Sequence, residues 1–174
     1  MKITKEKFLT VMSGIEDFEV IKSDKKYPDD DNVILVKWKG QALFVAFNDK
    51  DIPEQINDDE DVDATVSFDF AISIIELAKK YIGNVDPLIK YKIANYTNIK
   101  SDYDSVVVYR EDLDVFTIDV KHMALSRTET SNDIMIAFIS MVLSGVLTSQ
   151  LLRKQINAYK KSPEKFLKEC TGVK

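Results

Sequence analysis

A chain of 174 residues with 45% hydrophobic and 30% charged residues, five Gly and four Pro, is long enough to bury a sizeable core and too apolar for the disordered class. Its net charge of −5 speaks against a nucleic-acid-binding surface, and a single cysteine, Cys170, excludes an internal disulfide. The opening MKITKEKF lacks the apolar core of a signal peptide, so a reducing cytoplasm is the expected compartment.

The stretch ITKEKFLTVMSGIEDF predicts a first helix over about residues 5–17. Thr4 can cap the free N–H groups of the first turn, Ile3 and Phe8 occupy hydrophobic-staple positions, and Phe8, Leu9, Met12 and Ile15 recur on one face. FEVIKSDKKY follows as a weak strand, and then a polar link, YPDDDN, carries Asp29, Asp30 and Asp31. NVILVKWKGQALFVAFN reads as an apolar hairpin turning at Gly40 and Gln41, with both faces covered.

Residues 1–70 hold 17 acids against 9 lysines, whereas residues 71–174 hold 15 basic residues against 12 acids. The acids culminate in INDDEDVDATVSFDF, where Asp58, Asp59, Glu60, Asp61 and Asp63 fill five of six positions. A calcium loop of the EF-hand type beginning at Asp59 would take Asp61 and Asp63 as its next ligands, but position 6 is Ala64 and position 12 is Phe70, so its shell would be incomplete. Mutual repulsion of these charges favours a solvated loop until a basic partner arrives.

A second helix is predicted over 68–82, capped by Ser67, with Phe70, Ala71, Ile74, Leu77, Ala78 and Tyr81 in helical period and Gly83 as its stop. DPLIKYKIANYTNI starts with Asp86 and Pro87 as cap and first helical residue, so residues 87–98 read as helix, although Ile89, Tyr91 and Ile93 also alternate with lysines as a strand would. A second hairpin spans 106–121, and turn chemistry suffices to explain Glu111, Asp112 and Asp114. His122 continues the parity of Phe116, Ile118 and Val120 and is expected at the edge of the core. A long helix runs from Thr130 or Ser131 to about Tyr159, and a short one, capped by Ser162, from Pro163 to Cys170.

The sum is a single α+β domain over 1–174: a mostly antiparallel sheet of four to five strands, built on two apolar hairpins, with helices packed against it. The hairpin 33–48, the helix 68–82, the hairpin 106–121 and the helix from Ile134 give an element order that resembles the type III secretion chaperone-like group, including the YbjN family. That resemblance implies a dimeric or adaptor-like binding protein without a catalytic site; the segment 84–104 and the extended C-terminus depart from the pattern.

Ile134 to Leu152 is a run of 19 residues without a charge, flanked by Asp133 and by Arg153 and Lys154. Its length suits a membrane span. The apolar hairpins need covering, however, so a buried core helix is the favoured reading. Ser140, Ser144 and Thr148, four apart, suggest close approach of another helix, including that of a second copy in a homodimer.

No nucleophile with an adjacent base is legible, since His122 and Cys170 lie in different elements, and the usual zinc sets and phosphate-cradling glycine motifs are missing. No cofactor or metal is expected. Arg153, Lys154, Lys160, Lys161, Lys165 and Lys168 are expected to support helix ends or pair with acids rather than hold nucleic acid. The leading expectation is a non-catalytic cytoplasmic binding module, an adaptor, chaperone-like factor or inhibitor, which meets a basic protein through Asp29, Asp30, Asp31, Asp58, Asp59, Glu60, Asp61 and Asp63. The alternatives are a phage- or plasmid-borne mimic of nucleic acid that inhibits a DNA-binding enzyme, and a membrane-anchored cytosolic domain.

Overall fold

In the computed structural model, residues 3–21, 32–48, 70–122 and 130–171 are described. The elements run α1 (Lys5–Met12), β1 (Phe18–Val20), β2 (Val33–Trp38), β3 (Gln41–Phe47), β4 (Phe70–Leu77), α2 (Ala78–Ile82), α3 (Pro87–Lys100), β5 (Val106–Arg110), β6 (Val115–His122), α4 (Ser131–Lys161) and α5 (Pro163–Thr171). The strands form one antiparallel sheet in the order β1-β2-β3-β4-β6-β5, so the fold is α+β as expected, with six strands among the described residues where four to five were predicted. The chain divides into two compact units, Met1–Ala71 with Lys121–Ala137 and Ile72–Val120 with Phe138–Lys174.

In the first unit, Thr4 caps α1 by accepting from the Lys7 N–H at 3.3 Å, and the staple residues Ile3 and Phe8 are both buried. Helix α1 stops at Met12, five residues short of the predicted end. The β2–β3 hairpin pairs Trp38 with Gln41, and Lys39 and Gly40 take φ of 47° and 81°. Two consecutive positive φ values make a type I′ turn, whose twist matches the strands, so the turn sits one residue earlier than Gly40–Gln41. Ile34, Val36, Leu43, Val45 and Phe47 are buried, while Val33, Leu35, Phe44 and Ala46 are half-buried. The expectation of two covered faces thus holds fully for one and in part for the other. Phe8 meets Phe18, Phe47 and Phe70 at ring separations of 6.2, 5.3 and 5.3 Å, which closes this core with the edge-on and tilted contacts that aromatic quadrupoles favour.

The predicted helix over 68–82 is overturned. Phe70–Leu77 is strand β4, and only Ala78–Ile82 is helical. Phe70, Ile72, Ile74 and Glu76 are buried in strict alternation, and the β-branched Ile72, Ile74 and Ile75 favour the extended backbone that satisfies it. Residues 87–98, read as helix with a strand alternative, lie within α3: Asp86 accepts from the Leu88 N–H at 2.8 Å and Pro87 takes the first helical position. Glycine 83 closes α2 at φ 72°, where a side chain would be strained.

In the second unit, Phe138, Met141, Val142, Leu152 and Ile156 of α4 are buried, as are Ile72 and Ile74 of β4 and Ile118 and Val120 of β6. Gly145 faces the sheet so closely that a Cβ there would lie 2.8 Å from Ile74 Cδ1 and 3.7 Å from Val120 Cγ2. Phe166 of α5 packs edge-on against Tyr96 of α3 at 5.4 Å and against Tyr159 of α4 at 5.9 Å.

Candidate interaction surface

The acidic candidates Asp29, Asp30, Asp31, Asp58, Asp59, Glu60, Asp61 and Asp63 lie outside the described residues, as do Ser67 and the side chain of His122. Phe70, which would stand at the bidentate position of a calcium loop starting at Asp59, is fully buried in the aromatic core. Among the described residues no group of three or more His, Cys, Asp or Glu is placed to hold a metal ion.

The small residues of α4 do not share one surface. Ser140 is exposed, Ser144 is half-buried, and Thr148 is fully buried with its hydroxyl 2.5 Å from that of Ser105. At 3.6 residues per turn, each step of four overshoots a full turn by about 40°, so a 140–144–148 row winds from solvent into the core. Thr148 therefore seats α4 on its own chain and is not presented to a second copy, which corrects the predicted stripe. The row that stays outside alternates steps of three and four: Ile136, Ser140, Leu143, Leu147 and Gln150 are all exposed. Ile136 and Leu143 are 58% and 56% accessible, well beyond what a side chain covered by its own fold retains. Asp133 and Lys154, both exposed, continue the same alternation at its two ends.

Among the described residues of the second unit are two polar clusters whose partners no local sequence pattern joins. Glu76, buried in β4, accepts a hydrogen bond from the Ser149 hydroxyl and an ion-paired one from Arg153 Nη2 at 2.6 Å. The Arg153 guanidinium also lies 5.0 Å from the centre of the Tyr81 ring. Burial, and then the charge and hydrogen bond of Glu76, push the Tyr81 phenol up. Arg153 thus pairs with an acid, one of the two roles expected of the C-terminal basic residues.

In the other cluster, Lys90 of α3 is buried with its Nζ 2.5 Å from Asp114 Oδ1, and Tyr109 donates to the same oxygen at 2.8 Å. Lys90 Nζ lies 5.3 Å from the centre of the Tyr109 ring. Burial opposes the Lys90 charge, but the hydrogen bonds with Asp114 and Tyr109 outweigh it and raise its pKa. Asp114 is lowered by the hydrogen bonds from Lys90 and Tyr109. A lysine held charged is a poor nucleophile and a carboxyl held ionised is a poor acid, so this geometry suits an ion-paired tie between α3 and the β5–β6 turn better than proton transfer. The sequence signal for Lys90 was its helical spacing from Ile93, Ala94 and Thr97, all buried. Asp114, at φ 50°, also serves the turn, as predicted from its residue type.

A shallow cavity of about 310 Å³ at the α4–α5 junction is lined by Ala158, Lys161, Ser162, Lys165, Phe166 and Glu169. Cys170, half-buried nearby on α5, has its thiol pushed up by burial, which disfavours a reactive thiolate.

Residues 1–51 match the model of a family described as a domain of unknown function, DUF3850. The described part of that span comprises α1, β1, β2 and β3. No curated protein and no solved structure matches the chain. Of the four segments behind the resemblance to the chaperone-like group, 68–82 contains a strand where a helix was expected.

Proposed function

We propose that the protein is a non-catalytic intracellular binding module that acts through protein contacts, with the outward face of α4 as one contact surface and the acidic segments as a second, charged one. The observation that carries this reading is the row of exposed large apolar side chains, Ile136, Leu143 and Leu147, on a helix whose opposite face is packed into the fold. Such a row costs solubility unless a partner covers it, and a row with an exposed side chain at every third or fourth position fits a helical or flat protein surface. The acidic residues Asp58, Asp59, Asp61 and Asp63 supply long-range attraction to a basic protein, which speeds encounter more than it strengthens binding.

A membrane reading draws on α4 being long and apolar enough to cross a bilayer by length and composition. Against it, Phe138, Met141, Val142 and Leu152 are buried by protein, and the basic residue that ends the apolar run is ion-paired to Glu76.

Affinity capture of the intact chain from its host tests the binding reading, with two variants alongside: Leu143→Ser with Leu147→Ser, and Asp58, Asp59, Asp61 and Asp63 each changed to Asn. The expected result is a protein partner lost from at least one variant. Identical recoveries from all three chains would overturn the assignment of both surfaces.

A further inference from the structure

We propose that the partner of the α4 face is a second copy of the chain, paired antiparallel about a twofold axis that passes α4 near Met141 and Val142. The inference rests on the reading of that face as a contact surface and names its occupant.

The exposed row Asp133, Ile136, Ser140, Leu143, Leu147 and Lys154 follows the three–four alternation with which one helix lies along another over several turns. Its charges sit at opposite ends. Asp133 accepts from the Thr130 N–H and hydroxyl, both at 2.7 Å, and these hydrogen bonds lower its pKa, so it stays ionised. Lys154 lies 21 residues further, about 31 Å along the axis at 1.5 Å per residue.

Parallel pairing would set Asp133 against Asp133 and Lys154 against Lys154. Antiparallel pairing brings Asp133 of each copy within about one turn of Lys154 of the other, and it opposes the two helix dipoles favourably. Side-chain size agrees with that choice. With the axis near Met141 and Val142, each Ile136 lies opposite Leu147 of the other copy and each Leu143 opposite the small Ser140, so one protruding residue meets one recess twice over. The contact is isologous, closes on two copies and leaves no end for further growth.

Light scattering on the intact protein across the micromolar range is the experiment, since the chain is 19.9 kDa and a pair has twice that mass. The expected outcome is concentration-dependent pairing that Leu143→Asp abolishes while far-ultraviolet circular dichroism stays unchanged, because Leu143 is outside the core. Asp133→Lys and Lys154→Glu, each alone, should weaken pairing several-fold at low salt, and the double variant Asp133→Lys/Lys154→Glu should restore it, since each copy then presents both reversed charges. A folded chain that stays monomeric throughout overturns the proposal, as does a dimer indifferent to Leu143→Asp or a double charge variant no better than the singles. If the chain is monomeric yet still captures another protein through Leu143 and Leu147, self-pairing fails and the contact surface survives. Recovery only in detergent, with binding to phosphatidylcholine vesicles, overturns both.

Discussion

The side-chain amide of Asn98 hydrogen-bonds both backbone groups of Val107, accepting from its N–H at 2.8 Å and donating to its carbonyl at 2.9 Å. Val107 belongs to β5, the last strand in the sheet order, and an edge strand otherwise leaves such groups to solvent or to another chain. One asparagine on α3 thus occupies the place of a neighbouring strand. Asn98→Ala should cost about 1–3 kcal/mol, since it leaves a part-buried donor and acceptor unmade, and should raise the tendency to aggregate. Urea denaturation gives the first quantity and light scattering of the folded protein after prolonged incubation gives the second. An unchanged midpoint would show that water replaces the amide without loss.

Glu76 and Arg153 make a different kind of tie, because the carboxylate is buried and the guanidinium is half in solvent, with side-chain accessibilities of 7% and 47%. Removing the arginine strands a charge that retains the hydroxyl of Ser149. Arg153→Met should therefore destabilise by about 1–3 kcal/mol, below the range for a pair buried on both sides. Adding Glu76→Gln to Arg153→Met should recover part of the loss, because the neutral amide needs no counter-charge. A double-mutant cycle by chemical denaturation measures this, and strict additivity would remove the coupling.

Local chemistry made parts of this fold legible. The Thr4 cap, the Asp86–Pro87 helix start and the positive-φ requirement at Gly40 each depend on a few consecutive residues, and the structure shows each of them. Phe70–Leu77 departs from the predicted helix because one short apolar run satisfies periods of both 3.6 and 2, and pairing with sequence-distant strands decides between them. The ties of Lys90 to Asp114 and of Arg153 to Glu76 cross 24 and 77 residues, so no local pattern announces them. The outward row of α4 is spaced by alternating threes and fours, whereas the small residues at steps of four follow a line that the helix carries into its own core.

The Lys90–Asp114 tie sets two pH limits with opposite signs. Asp114 has a folded pKa below its ordinary 3.8, so the stability it adds is complete above that value and is lost as pH falls through the lower, folded one. Lys90 has a folded pKa above its ordinary 10.5, so its contribution is complete below 10.5 and is lost as pH rises through the higher, folded value. Asp114→Asn should therefore lower the denaturation midpoint at pH 7, and the gap from the parent should narrow as pH falls below about 3.8. A gap constant from pH 7 to pH 2.5 would assign the loss to the turn, where the residue stands at φ 50°, and not to the charge.

Gly145 sets two effects of similar size against each other. In a helix interior, Gly→Ala is worth roughly 1 kcal/mol of stability through backbone entropy, yet the added methyl would lie 2.8 Å from Ile74 Cδ1 in a fully packed region. Overpacking of this kind costs about 1–3 kcal/mol, and the obstructing atom is the far end of a side chain, which places the cost near the low end. Gly145→Ala alone should consequently change stability by less than about 1 kcal/mol, whereas Gly145→Val, which brings two further carbons toward Ile74 and Val120, should cost more than about 2 kcal/mol. Ile74→Val removes the obstructing carbon and should by itself cost about 0.5–1.5 kcal/mol. In the Ile74→Val background, Gly145→Ala should become stabilising, because the helix gain remains and the clash is gone. Thermal or urea denaturation of the four chains reads the sign directly. If alanine were equally costly in both backgrounds, the close approach of α4 to β4 would not be what holds this position to glycine.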